Sequence, residues 1–203
     1  MDLVLDFNIS YINPYNIISM ITSLVGCIIV IQNCSKIIEF DPSKCVGICS
    51  DRVLTNALDR RWFGRKDGDK LILSIEELAY LLLKNQVCVS INDKVYDDLS
   101  KLMDDYYSCF QRMFWPRLLV YNDLRGRGRR VRVLEDGKFL VKHKDNTLRL
   151  LVVLEEKQLI STSQLLDLVR QAQRNGLIFI AAIVSLQGDL TYYELNVIDL
   201  RRD

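Results

Sequence analysis

Histidine is almost absent from this chain: His143 is the only one in 203 residues. A zinc site of the usual Cys/His type is therefore short of ligands, and the six cysteines (Cys27, Cys34, Cys45, Cys49, Cys88, Cys109) never form C-x-x-C. Net charge is lacking too. Lys plus Arg (27) nearly balances Asp plus Glu (26), so any basic footprint for an anionic partner has to be local. Long apolar runs are missing. The most apolar stretch, Ile17 to Ile31, is 15 residues long and contains Ser19, Thr22, Ser23 and Gly26, short of the roughly 20 that a membrane-spanning helix needs. No basic segment precedes it and no A-x-A-like site follows, which argues against a secretory signal. These absences lead to the expectation of a soluble cytoplasmic protein without a membrane partner, a metal or a cofactor.

The cysteines leave two readings open. They are buried free thiols, or they form one or two intracellular disulfides of the kind found in hyperthermophiles, with Cys45–Cys49 and Cys27–Cys34 as candidate pairs.

What is present includes an apolar content of 49%, enough for a sizeable core. It also includes one dense basic stretch, Tyr121 to Arg132, reading Y-N-D-L-R-G-R-G-R-R-V-R. Its arginines, Arg125, Arg127, Arg129, Arg130 and Arg132, are expected to face water or an anionic partner, while Gly126 and Gly128 break the preceding helix. A solvated helix end, where cations are favourable, and a nucleic-acid contact both fit.

Along the chain, Asn13-Pro14 signals a turn. Strand-like segments are expected at Cys27–Gln32 and Lys36–Phe40, and a short helix at Asp51–Arg60. A loop is expected through Trp62-Phe63-Gly64 and Asp67-Gly68-Asp69, then a short apolar run at Lys70–Leu73. Ser74 and Glu77 form a capping box that opens a helix ending near Lys84-Asn85. Val87–Ile91 reads as a strand and Asn92-Asp93 as a turn. Val95 to Gly126 reads as helical, divided in two near Trp115 by Pro116, with a Leu/Met/aromatic stripe that belongs to a core rather than to a base-stacking platform. Strands follow at Arg130–Leu134, Gly137–His143 and Leu148–Leu154. A second capping box, Ser161 and Gln164, opens a helix that stops at Asn175-Gly176. An unbroken apolar strand, Leu177–Val184, and a last strand, Leu190–Leu200, close the chain. The expected class is α/β (α+β), with a small N-terminal α/β domain over 1–95, its first 15 residues unassigned, and a C-terminal domain over 96–203 with a mixed sheet flanked by helices.

The set Tyr121, Asp123, Leu124, Arg125, Arg127, Gly128, then Ala182-Ile183-Val184 and Asp189-Leu190-Thr191-Tyr192-Tyr193, together with the capped helix in L-I-L-S-I-E-E-L-A-Y-L-L, resembles the archaeal tRNA-splicing endonucleases. The resemblance covers roughly residues 50 to 203 well and 20 to 50 loosely, and gives the second domain its nuclease-like character. It implies precursor tRNA as a partner and metal-independent cleavage at a bulge–helix–bulge, leaving a 2′,3′-cyclic phosphate. That reaction needs a base for the 2′-hydroxyl, an acid for the leaving oxygen and a cation for the phosphorane. The family uses Tyr, His and Lys.

Here the matching positions carry Lys142 or His143, then Asn146, then a residue near Leu177, so the triad is missing. The resemblance therefore implies the non-catalytic, structural subunit of a heterotetramer with two chains of each kind. The interface would include the loop at Gly188 and Asp189 and the last strand with Tyr192, Tyr193 and Val197; that loop has one acid where the family has several. Two alternatives stand beside it: an active nuclease rearranged around His143 with Lys142 or Lys144, and a free-standing RNA-binding module using the arginines.

Overall fold

A computed structural model describes residues 34–111, 113–134 and 137–197. The apolar stretch at 17–31, the strand expected at Cys27–Gln32, the extension before Asn13-Pro14 and residues 198–200 of the expected last strand lie outside these residues; that strand ends earlier than expected, at Leu195.

The first sheet alternates short strands with tight turns. β1 (Ile37–Asp41) places Ile38 and Phe40 inward and turns at Pro42, where the Asp41 carboxylate accepts from the Ser43 and Lys44 amides. β2 (Val46–Cys49) returns antiparallel to it. Asp51 caps α1 (Arg52–Arg60) by accepting from the Leu54 amide. β3 (Arg65–Asp67) and β4 (Lys70–Leu73) form a hairpin whose first turn position, Gly68, has φ +58. The segment expected as a loop therefore contains an edge strand. β5 (Cys88–Ile91) and β6 (Lys94–Tyr96) form a second hairpin, with Asn92 and Asp93 both at positive φ. The strand order is β3-β4-β2-β1-β5-β6, mixed because β1 and β5 run parallel. β2 had no clear signal in its four residues. Its Gly47 is required by close approach: a Cβ there would lie 3.0 Å from the Leu78 side chain.

Leu78 belongs to α2 (Ile75–Leu83), which carries the expected capping box. Glu76 through Leu82 are all buried, so this helix is enclosed on every side. It packs on α4 (Phe114–Gly126). The 95–126 stretch divides near Trp115 as expected, at the start of α4, and its first part is divided further. After β6 come α3 (Leu99–Asp105), a 3₁₀ turn (Tyr107–Phe110), and then α4. Pro116 does not break a helix. It sits in the first turn of α4, where its missing N–H would have had no partner. The apolar stripe is core, with Leu102, Phe110 and Phe114 buried.

The second sheet has the order β11-β10-β9-β8-β7. Its strands are β7 (Arg130–Val133), β8 (Phe139–Lys142), β9 (Leu148–Glu155), β10 (Ile178–Val184) and β11 (Leu190–Leu195). The one parallel pair, β9 with β10, is joined through α5 (Thr162–Arg174), capped as expected by Ser161 and Gln164. β10 is covered on both faces: Ile180, Ala182 and Val184 join the core shared with α4, while Phe179 and Ala181 meet Val169 and Ala172 of α5. The class is thus two mixed sheets flanked by helices, as expected. One core runs through both. Phe63, Tyr80, Tyr121 and Phe139 form a chain of ring contacts from the first sheet's side to the second, with successive centroids 6.1, 5.4 and 5.9 Å apart.

The cysteine pairs expected from spacing are replaced by long-range ones. Cys34 bonds Cys88, tying the approach to β1 onto β5, and Cys45 bonds Cys109, tying the β1–β2 turn to the 3₁₀ turn before α4. Cys49, expected as a partner of Cys45, is a buried free thiol that faces Thr55. Neighbours in sequence were poor guides because β2 carries Cys49 away from the turn. No described helix is long and apolar enough to cross a membrane.

Candidate nucleic-acid interface

The arginines after α4 divide by environment. Arg125 is half-buried and turned inward. One turn after Tyr121, it turns back along α4 and lies 3.8 Å from the centre of the Phe63 ring. Its guanidinium donates to the Tyr121 hydroxyl and to three carbonyls, Arg61 (2.7 Å), Trp62 (2.8 Å) and Val131 (2.6 Å). Val131 is in β7, the outer strand of the second sheet, so Arg125 closes that edge against the loop after α1. The donors of this side chain, expected to reach an anion, are used on three carbonyls and the Tyr121 hydroxyl. The spacing Tyr121-x-x-x-Arg125, with Tyr121 fully buried, was the available signal.

The other four lie nearer the surface. Arg127 pairs with Asp123 at 2.9 Å and lies over the Tyr192 ring, and the Tyr192 hydroxyl donates to Asp123 at 2.7 Å. Partial burial and the Asp123 charge hold that hydroxyl well above its ordinary range. Arg132 pairs with Asp59 at 3.2 Å and lies over Trp62. Arg129 is half-buried and Arg130 exposed, and neither has an ion pair among the described residues.

Beneath Arg125 lies Glu77. Its carboxylate accepts from the Gly64 amide at 2.9 Å and the Ser74 amide at 3.0 Å. Complete burial outweighs those bonds and the Arg125 charge, and pushes the carboxyl up to about 7. Sequence showed its capping role but not its burial beneath the arginine clamp.

The positions that the resemblance assigns to the triad, Lys142 or His143, Asn146 and a residue near Leu177, lie at one end of the second sheet. Lys142 ends β8 and is in register with Leu148 at the start of β9. Asn146, with φ +68, turns between them. Leu177 immediately precedes β10, whose Ile178 is in register with Arg149. These positions hold an ammonium, an amide and an alkyl group, and no general base or acid apart from the neighbouring His143. His143 Nδ1 lies 3.2 Å from Asp145 Oδ1, out of line for a hydrogen bond. Gly128, Arg130, Lys142, His143, Lys144 and Asn146 line a cavity of about 210 Å³ at this end. Lys142 also lies 5.8 Å from the Trp62 ring centre. Trp62 was not among the expected site residues, and Lys144 was expected only in the reading of a rearranged nuclease. The K-H-K run was the signal for Lys144, whereas Trp62 comes from 80 residues away. No group of three or more metal-ligating side chains occurs among the described residues.

At the opposite edge, β11 pairs only with β10 among the described residues. Tyr193 and Glu194 are exposed, while Tyr192 is held by Asp123 and Val197 packs with the α5 side of the sheet. The loop before β11 is closed by Ser185, whose hydroxyl accepts from the Gln187 and Asp189 amides, and leaves Gly188 and Asp189 exposed.

A mixed sheet flanked by α4 and α5, with Arg130, Lys142 and Lys144 gathered at one end, forms the basic surface of the chain's second half. Residues 38–100 match the tRNA intron endonuclease N-terminal domain, and residues 114–192 match the tRNA intron endonuclease catalytic C-terminal domain. The chain is 33% identical over 152 residues to the tRNA-splicing endonuclease of Pyrococcus horikoshii, covering 72% of this chain and 87% of that protein. It is 29% identical over 168 residues to that of Pyrococcus abyssi, 79% and 96% respectively. Against the tRNA-splicing endonuclease of Methanosarcina barkeri the identity is 32% over 143 residues, and the chain spans only 39% of that protein's length. The chain belongs to the tRNA intron endonuclease family.

Proposed function

We propose that this chain is the structural, catalytically degenerate subunit of a tRNA-splicing endonuclease that excises introns from precursor tRNA at bulge–helix–bulge motifs. One observation carries the reading: the sheet end where the family's Tyr, His and Lys would converge holds Lys142, Asn146 and Leu177. None of these can take a proton from a 2′-hydroxyl and return one to a leaving oxygen as Tyr and His do. A catalytic partner chain supplies that chemistry, two of each chain forming the assembly. The exposed edge of β11 pairs with the partner, with Tyr193 in the contact, Tyr192 and Val197 supporting it from within, and the loop at Gly188 and Asp189 docking beside it.

Cleavage of a bulge–helix–bulge RNA by the chain alone and with its catalytic partner tests this reading. Asp189→Arg should weaken assembly and activity of the mixture, and unchanged assembly would count against the loop. A second reading, a rearranged nuclease using His143 with Lys142 or Lys144, is favoured by one observation, the cavity these three share. It requires activity of the chain alone that His143→Ala abolishes.

A further inference from the structure

We infer that the vacated triad end of the second sheet is a phosphate-binding site that holds a backbone phosphodiester of the RNA without cutting it. The inference rests on the RNA-processing reading above for the source of the phosphate, but not for the existence of the site.

Arg130 and Lys142 are register partners on adjacent antiparallel strands. Directly opposed like charges destabilise a sheet, and no acid pairs with either among the described residues. Lys144 follows without an ion pair, and the one acid in the cluster, Asp145, is turned to His143 and Thr147. The cation count thus exceeds the acid count where the strands end. Behind this surface the excess continues. Arg129 Nη1, Arg132 Nε, His143 Nδ1 and Arg149 Nε are buried without a hydrogen bond, and all four belong to basic residues on or beside β7, β8 and β9. Arg132 and His143 have Asp59 and Asp145 beside them, whereas no acid pairs with Arg129 or Arg149 among the described residues, and a bound anion would offset the field of these two. The cavity of about 210 Å³ between Gly128, Arg130, Lys142, His143, Lys144 and Asn146 has room for one phosphate group. Gly128 at its rim, with φ +74, keeps the backbone low there. Lys and Arg side chains that converge without acids bind phosphate through charge-assisted hydrogen bonds. With no Tyr, and no Lys near Leu177, the bound diester is held and not cleaved.

His143 is the only histidine, so a single imidazole signal reports on the site. The full chain is titrated with inorganic phosphate and, separately, with a bulge–helix–bulge RNA, following that signal by NMR. The site predicts a saturable shift with both. The double variant Arg130→Ala, Lys142→Ala should retain the wild-type melting temperature within a few degrees, since Arg130 is exposed, Lys142 is half-buried, and neither has an ion pair among the described residues. It should lose the phosphate-induced shift, bind RNA about tenfold more weakly, and give a log–log salt slope shallower by about one. No shift of the wild-type signal with either probe overturns the site. A shift with inorganic phosphate alone makes it a free-phosphate site and overturns the RNA assignment. RNA binding that the double variant leaves unchanged, in affinity and salt slope, overturns the site while leaving the RNA-processing reading intact.

Discussion

Replacing Arg125 by alanine should destabilise the chain by about 3–5 kcal/mol, because several charge-assisted hydrogen bonds to carbonyls are lost together. The structure supplies the parts. The half-buried carbonyls of Trp62 and Val131 each lose a charged donor at 2.8 and 2.6 Å, a loss of about 1–3 kcal/mol apiece. The stacking of the guanidinium on Phe63 at 3.8 Å adds up to about 2 kcal/mol. Loss of the nearby cation further penalises ionised Glu77. These losses share one side chain and do not sum, so the range sits near the middle. Urea unfolding followed by tryptophan fluorescence is the assay, because Trp62 lies in the loop that Arg125 holds. Arg125→Lys separates charge from geometry. It keeps the cation near Glu77, but its single nitrogen cannot span the Arg61, Trp62 and Val131 carbonyls, so it should recover less than half of the loss. A loss below about 1 kcal/mol for Arg125→Ala, or full recovery by lysine, would refute the clamp.

Reduction of the two disulfides, or Cys34→Ser and Cys45→Ser separately, should lower stability. The closed segments of 54 and 64 residues correspond to about 4 kcal/mol each by chain entropy; a melting temperature unchanged by reductant would contradict the pairing. Glu77 should make stability depend on pH. Folded, it keeps its proton up to about 7, against an ordinary value of 4.5. The folded state therefore binds more protons in that window, and unfolding free energy falls by about 3 kcal/mol as pH rises through it. Glu77→Gln preserves the capping box and should flatten that decline, measured by urea unfolding at pH 5 and 7.5; an unchanged slope would assign it elsewhere.

The fold was legible where local signals were strong. Both capping boxes, the Asn92-Asp93 turn and the apolar β10 appear as their residues indicated. It was least legible where tertiary contacts decide. β2 and β3 are three or four residues long, too short for periodicity, and exist because sheet neighbours complete their ladders. Pro116 reads as a breaker until the start of α4 places it in a first turn. The cysteine pairing depends on which strands adjoin, so spacing pointed to Cys45–Cys49 where the fold brings Cys109 to Cys45. For the site, a run of arginines reads as one uniform patch. The fold sends Arg125 inward, pairs Arg127 and Arg132 with acids, and leaves Arg130 opposite Lys142, a juxtaposition that only strand register reveals.

The proposed structural-subunit role requires that cleavage depend on a catalytic partner chain. The direct test combines cleavage of a bulge–helix–bulge RNA with the mass of each sample, for this chain alone, the partner alone, and the two together. The account predicts no cleavage by this chain alone, and cleavage by a mixture whose mass corresponds to two of each chain. Cleavage by this chain alone, lost in His143→Ala, would contradict it and make the basic cavity an active site.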